Sequence, residues 1–137
     1  MSTMNKTYSE MLRYKSFDDR LKYLQVKGNV GEQTFAGKRE LNQILYKSSI
    51  WTNLRKRIII RDYGFDLAHP DFTILGKILI HHINPITVED VLEQNPIVFD
   101  MENLVSTSFD THNAIHYGTD RIKKEYVERK PGDTTLW

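Results

Sequence analysis

The sequence predicts an α+β fold in which two short strands lie among several helices. The two segments that favour strands are residues 76–83 and 103–107, which are short and rich in aliphatic or β-branched residues. In residues 49–62, by contrast, apolar residues recur three or four positions apart, which is the period of an amphipathic helix. The predicted helices span residues 7–14, 17–26, 49–62, 109–117 and about 120–129.

The N-terminal part combines two of these helices with a loop. Ser16 precedes the second helix, and Asp19 lies three residues later, which is the spacing of a capping box. Three glycines then interrupt a stretch that has no strong period. Residues 28–37 are therefore predicted to form a loop.

The helix over residues 49–62 carries the clearest apolar stripe. Trp51 and Leu54 are expected in the core, because a tryptophan at helical spacing is more often a packing residue than a ligand platform. Gly64 is predicted to end the helix by taking a positive φ. The basic residues 55–57 lie mostly off the stripe. The stripe comprises Ile50, Trp51, Leu54, Ile58 and Arg61.

Two less regular segments flank the first strand. Residues 65–75 are predicted to be loop, and residues 84–102 contain two Asn-Pro pairs that predict a long connection. Within this connection Thr87 lies three residues before Asp90, which predicts a capped turn or two of helix.

The composition indicates one domain without covalent cross-links. The chain has 137 residues, of which 39% are hydrophobic, and it has no cysteine. Disulfides and cysteine-ligated zinc or iron–sulfur centres are therefore excluded. No apolar run approaches the roughly 20 residues of a membrane helix, and the N-terminus lacks the apolar stretch of a secretion signal. We expect a cytoplasmic protein with no membrane partner.

The net charge of +1 conceals a strong segregation of charge along the chain. Residues 1–62 contain 13 basic and 6 acidic side chains, whereas residues 63–118 contain one basic side chain, Lys77, and 8 acidic ones. A basic half beside an acidic half suggests a surface for a polyanion next to a site that holds cations. Two solvated faces without such a role are the alternative interpretation.

Four of the five histidines form two tight groups. His81 and His82 end the first predicted strand, and His112 and His116 lie four apart on a helix, so that they share one face. Such a helical pair commonly presents two imidazoles to one metal ion. Because neighbours on a strand point to opposite faces, only one of His81 and His82 is expected to join them. The other is left free as a base, which is the division that metal-assisted hydrolysis needs.

This order of motifs resembles the HNH, or ββα-metal, nucleases, and most closely the colicin-type DNases. The resemblance covers residues 49–118 and implies a core of two short antiparallel strands and a helix. Residues 1–48 then form an N-terminal helical and basic extension, and residues 119–137 a C-terminal helix and tail of the same compact domain. The matching stretches are His81–Ile86, Asp100–Leu104 and Thr111–His116, preceded by a basic helix like that of phage HNH proteins at Trp51–Asp62.

The resemblance also implies a role for each motif residue. His82 matches the general base that activates water, and Asn103 matches the asparagine that pins the loop between the strands and so orients the base. His81, His112 and His116 match the ligands of one divalent metal ion. Three imidazoles without a carboxylate favour Zn, Ni, Co or Mn, with Mg as a further option.

Two departures from the family pattern matter. Most phage relatives have Asp at the position of His81. Many also hold a structural zinc with paired Cys-x-x-Cys knuckles, which here correspond to the Gly64–Ala68 region and to Ser108-x-x-Thr111. Packing is therefore expected to hold these loops in place of the metal. His69 lies outside the motif and is interpreted as a loop histidine.

The implied reaction is hydrolysis of DNA phosphodiester bonds, which leaves 5′-phosphate and 3′-hydroxyl ends. The implied partner is double-stranded DNA, contacted through its backbone in the minor groove. The resemblance further suggests a phage or mobile-element origin, with phage packaging proteins as additional partners. The candidate phosphate contacts are Arg55, Lys56, Arg57, Arg61 and Lys77.

Two other functions fit parts of the pattern. The first is a catalytically silent, metal-stabilised DNA-binding or packaging adaptor, which has no need of the base His82. The second is a three-histidine metalloenzyme for a small molecule, which needs a deep apolar pocket. The basic N-terminal half has no task in the second.

Overall fold

The computed structural model describes residues 4–25 and 39–118, and it has an α+β architecture. Two strands, β1 and β2, form one antiparallel sheet among six helices, α1 to α6, within this part of the chain. Short 3₁₀ turns cover Asp66–Ala68, Pro96–Val98 and Met101–Asn103. The named elements are α1 Tyr8–Met11, α2 Phe17–Leu24, α3 Arg39–Lys47, α4 Ser49–Arg61, β1 Leu79–His82, α5 Val88–Leu92, β2 Leu104–Thr107 and α6 Phe109–Tyr117.

The sheet and α6 are consecutive in the chain. His81 pairs with Val105 and His82 pairs with Leu104 across the sheet. The helix α6 starts directly after β2, where the Ser108 side chain accepts a hydrogen bond from the Thr111 backbone N–H. This short connection leaves α6 packed against the sheet that precedes it.

The core consists of two apolar clusters that meet at the sheet. Val105 packs in a cluster with α1, α2 and α6, whereas its neighbour Leu104 packs in a cluster with α4 and the connection between the strands. This difference follows from the alternation of side chains along a strand. The sheet therefore has an α6 face and an α4 face, and both are covered.

A buried carboxylate joins α4 to the strand β2. The Asp62 side chain accepts hydrogen bonds from the Ser106 backbone N–H, the Tyr8 hydroxyl and the Arg61 guanidinium, each at 2.9 Å. The guanidinium also donates to the carbonyl oxygens of Met101 and Leu104 and lies 3.4 Å above the Tyr8 ring. Because these contacts occupy the Arg61 head group, it holds the fold together and is not presented to a DNA phosphate.

A second buried carboxylate joins the two loops that the resemblance to HNH nucleases aligns with cysteine knuckles. Asp66 accepts hydrogen bonds from the Ser108 N–H at 3.2 Å, the Ser108 hydroxyl at 2.8 Å and the Thr111 hydroxyl at 2.6 Å. The adjacent Leu67 is fully buried in the core. Polar bonding thus holds these loops together with the packing that the sequence predicted.

Several local predictions are confirmed. The helix α4 lies within the predicted range 49–62 and buries Trp51 and Leu54, and Gly64 has a φ of 69° just beyond the helix end. The capping box of Thr87 and Asp90 is complete. At α2 one half of the predicted capping box is present, since the Ser16 side chain accepts a hydrogen bond from the Asp19 backbone N–H.

Other local predictions are wrong or lie outside the described residues. Ile50, assigned to the apolar stripe, is 64% exposed, whereas Trp51 in the same turn of α4 is 4% exposed. The helix α1 ends at Met11, and α3 was not predicted. The predicted loop 28–37 and the predicted helix 120–129 fall in the undescribed part of the chain. Among described residues no helix is long and apolar enough to cross a bilayer.

Candidate metal centre

The register of the sheet decides which way each strand histidine points. His81 lies opposite Val105, whose side chain packs with α6, whereas His82 lies opposite Leu104, whose side chain packs with α4. Residues paired directly across antiparallel strands share a face. His81 therefore faces α6 and His82 faces α4.

Three imidazoles meet on the α6 face. The His81 ring centroid is 5.3 Å from that of His112 and 5.2 Å from that of His116, and the latter two are 4.5 Å apart. One nitrogen from each ring lies within 4.8 Å of the other two. The fold thus brings His112 and His116, which lie four residues apart on α6, together with His81 of β1, as the sequence predicted.

The nitrogen positions fit a metal ion. Tetrahedral coordination with metal–nitrogen distances of roughly 2.0–2.1 Å places two ligand nitrogens about 3.3–3.4 Å apart. The Nε2 atoms of His112 and His116 are 3.3 Å apart. The Nε2 atom of His81 is buried and has no hydrogen-bond partner among the described residues, which is costly unless something else uses its lone pair. The cluster can therefore hold a metal ion.

Burial favours the neutral form of all three imidazoles. It lowers the pKa of His81 well below the ordinary value, with the neighbouring histidines adding to the effect. It lowers the pKa of His112 to about 4 and also lowers that of His116. A neutral imidazole has a lone pair for a cation, so these rings are ready to bind metal at neutral pH without first losing a proton.

His82 has a different set of partners on the α4 face. Its Nε2 lies 3.0 Å from the carbonyl oxygen of Val98, and its ring stacks on Trp51 with centroids 5.4 Å apart and planes 23° apart. Because a carbonyl only accepts, the proton resides on Nε2 and the lone pair on Nδ1. Burial lowers the pKa of His82 to about 4, below the ordinary value near 6.5.

Asn103 holds the loop that supplies the Val98 carbonyl. Its Nδ2 donates to the carbonyl oxygen of Ile97 at 3.0 Å, and its Oδ1 accepts from the backbone N–H and the side-chain amide of Asn84, both at 2.7 Å. The side chain of Asn103 is fully buried. It therefore ties together the end of β1 and the residue next to Val98, as a residue that orients the His82 ring must.

No protein-family profile, curated protein or solved structure matches this chain. The arrangement of these side chains and the resemblance of their motif to that of HNH nucleases are therefore the basis for a proposed function.

Asn84 belongs to the site although its role was not predicted. Its Oδ1 accepts hydrogen bonds from the backbone N–H groups of Asn5 and Lys6, and its Nδ2 donates to the Lys6 carbonyl and to Asn103. It thus connects the N-terminal segment to the loop behind His82. In the sequence, the pair Asn84-Pro85 indicated only a turn. The partners of Asn84 are distant in the chain, so no local pattern indicated them.

The predicted phosphate contacts have different positions. One Arg55 N–H donates to the Ile78 carbonyl at 2.8 Å, which holds this side chain beside β1. Lys77 is exposed in the same region, and Lys56 and Arg57 are exposed on α4. Arg61 is engaged inside the protein. A DNA surface therefore has four candidate cations here, of which Arg55 and Lys77 are nearest to the site.

His69 lies apart from the cluster. Its Nε2 is 3.1 Å from the Lys15 carbonyl, and its Nδ1 accepts from the Asp71 N–H. Its ring contacts Phe17 and Phe72 edge-on. These contacts give it a packing role between the N-terminal helices and the loop after α4.

Proposed function

We propose that this protein is an HNH-type endonuclease, a metal-dependent hydrolase of DNA phosphodiester bonds, and that β1, β2 and α6 form its ββα-metal core. One observation carries the proposal. Adjacent histidines at the end of β1 have opposite environments, His81 among metal-ligand partners and His82 with a single proton-accepting nitrogen. Metal-assisted hydrolysis requires this pair of functions within reach of one phosphate.

The thin sheet gives one substrate access to both histidines. Only β2 pairs with β1 among the described residues, so the other edge of β1 has no strand beside it. Segment 78–80 at this edge lines a cavity that also touches His112 and Trp51. Trp51 contacts His82. A phosphate at this edge lies near both faces of the sheet.

The proposed step begins when His82 takes a proton from water through Nδ1. The water oxygen forms a bond to phosphorus, and the opposite P–O3′ bond breaks in line with it. Solvent returns a proton to the 3′ oxygen, which leaves 5′-phosphate and 3′-hydroxyl ends. A divalent ion held by His81, His112 and His116 supplies positive charge to the phosphate oxygens when bound. Zn, Ni, Co and Mn suit the three imidazoles best.

Contacts to His82 support this role. The Val98 carbonyl keeps the proton on Nε2, and Asn103 and Asn84 hold the loop that carries this carbonyl. Trp51, which is 4% exposed, covers one face of the ring. The ring is therefore held in a defined orientation with its Nδ1 lone pair available, as a general base requires.

Exposed cations support a nucleic acid as the substrate. Lys56, Arg57 and Lys77 are exposed, and within residues 4–25 and 39–118 they form no ion pair.

Replacing both Lys56 and Arg57 with Gln should weaken DNA binding about equally for all sequences and reduce the salt slope by about two. Fluorescence anisotropy with labelled duplex at several salt concentrations measures this slope. An unchanged slope would place the DNA surface elsewhere.

Plasmid cleavage tests the proposal directly. Supercoiled DNA is incubated with the metal-stripped protein, and then with Zn, Ni, Co, Mn or Mg added singly. We expect nicked or linear product with at least one ion, none with chelator, and none for His112→Ala or His116→Ala. His69→Ala is the matched control and should cleave like wild type. Absence of cleavage with all five ions would refute the nuclease assignment.

The metal-stabilised DNA-binding or packaging adaptor is the second candidate. The observation in its favour is that His82 is partly buried, stacked and hydrogen-bonded, as a histidine with only a packing role would be. An adaptor binds DNA and metal without cleavage. Bound metal and salt-dependent DNA affinity in a protein that cleaves no substrate would therefore favour this function over the nuclease.

A further inference from the structure

A cavity of about 370 Å³ opens beside the metal centre. It lies between α3, α4 and the free edge of β1. One of the metal-ligand histidines, His112, forms part of its wall, so that a molecule in the cavity adjoins the metal site. The remaining wall comprises Tyr46, Trp51, Arg55, Lys77 and the segment 78–80.

The wall combines flat apolar surface with positive charge. Tyr46 lines the cavity and is 42% exposed, and its ring lies 5.1 Å from the Trp51 ring. Lys77 is exposed, and one N–H of Arg55 is fixed on the Ile78 carbonyl. No Asp or Glu is among the described residues of the wall. The cavity therefore suits a ligand with a planar ring and an anionic group.

Size restricts the choice of ligand. Pockets for small molecules have volumes of roughly 300–1,000 Å³, and this cavity is at the lower end of that range. A base that remains paired within a duplex cannot present its ring face to a tyrosine, because its neighbours in the stack cover that face. An unpaired base can stack on an aromatic side chain regardless of its identity.

We propose that this cavity is a nucleotide subsite that takes one unpaired nucleotide of the DNA next to the cleaved phosphate. Its base stacks on Tyr46, and Lys77 and Arg55 contact its phosphate. This inference rests on the proposed nuclease function and refines its substrate. DNA with an unpaired nucleotide at the cleavage position is a better substrate than continuous duplex.

Binding of deoxyadenosine monophosphate in the presence of chelator tests the subsite without catalysis. The full chain is titrated by calorimetry with the nucleotide, and separately with deoxyadenosine and with inorganic phosphate. We expect the nucleotide to bind at least tenfold more tightly than either fragment. Equal affinity for phosphate alone would overturn the subsite, because the aromatic wall would then contribute nothing.

Two variants and two matched controls locate the binding. Tyr46→Ala should weaken nucleotide binding by about 5- to 150-fold, the range for loss of one base–aromatic stack, and Tyr46→Phe should restore it. Lys77→Gln, at an exposed position, should also weaken it. Tyr63→Ala and Lys22→Gln change exposed residues outside the cavity and should have no effect. Weakening by the controls alone would exclude this cavity.

Cleavage separates failure of the subsite from failure of the proposed function. Labelled duplexes with and without one unpaired nucleotide are compared for wild type and Tyr46→Ala. Preference for the unpaired substrate that disappears in Tyr46→Ala supports the proposal. Equal cleavage of both substrates by both proteins overturns the subsite and leaves the nuclease intact. Nucleotide binding without cleavage in any metal refutes the nuclease and leaves the subsite intact.

Discussion

The two faces of the small sheet differ in the groups that surround their histidines. On the α6 face, His81 has two other imidazoles beside it and an Nε2 without a hydrogen-bond partner in the described structure. On the α4 face, His82 has a carbonyl partner and an indole against its ring. Burial lowers the pKa of both residues, so the pKa does not distinguish them. Their partners distinguish them. The lone pairs that converge around His81 suit a cation, and the His82 ring, whose proton is fixed on one nitrogen, suits a base.

Replacing His81 and His82 with alanine, one at a time, is the strongest test of this contrast. His82→Ala should lower the cleavage rate by about 10²–10⁴-fold, the usual effect of losing a general base, and should keep the metal. His81→Ala should lose the metal and the activity together. Single-turnover cleavage and metal content by atomic emission measure the two quantities.

The reverse assignment predicts the opposite metal contents for these variants. If His82→Ala loses the ion and His81→Ala retains it, His82 is the ligand and the strand must be distorted at this point. Full activity in both variants would refute the mechanism altogether.

Metal should stabilise the α6 face, because the ligands come from β1 and α6 and ligation joins them. At a metal concentration about 100 times the dissociation constant, the free energy of unfolding should rise by about 2.7 kcal/mol. Thermal melts with and without metal measure the gain. His116→Ala should abolish it, whereas His82→Ala on the opposite face should preserve it. A gain that survives in His116→Ala would place the ion elsewhere.

Replacing Asp66 should show that hydrogen bonds hold the start of α6. Asp66→Ala leaves the Ser108 N–H and the hydroxyls of Ser108 and Thr111 without their acceptor, which should cost roughly 1–3 kcal/mol. Asp66→Asn keeps one carbonyl oxygen and should lose less. Urea unfolding measures both. If Asp66→Ala matches wild type, packing alone holds these loops, as the sequence predicted.

Local signals predicted much of the fold and the candidate site. Strand alternation separated His81 from His82, helical spacing joined His112 to His116, and the Thr87 cap was recognisable because both partners lie three residues apart. Features that depend on distant partners were missed. Asn84 bonds to residues 5 and 6, and the acceptor role of Asp66 depends on Ser108 across the fold. The sequence likewise indicated a free cation at Arg61, because the carbonyl groups that its guanidinium binds lie 40 and 43 residues further along the chain.

Acid should act on both faces of the metal-free protein in the same direction. The folded pKa values of His82 and His112 are about 4, whereas an unfolded chain titrates near 6.5. Between these values the unfolded state binds more protons, so the free energy of unfolding falls as the pH decreases. The stabilisation is complete above about pH 6.5 and is lost towards pH 4. Urea midpoints with chelator at pH 7.5 and 5 should show this fall. His112→Gln removes one of the buried groups and should reduce the difference, while His69→Gln, outside the cluster, should not. An identical fall in His112→Gln and wild type would mean that other groups set the acid sensitivity.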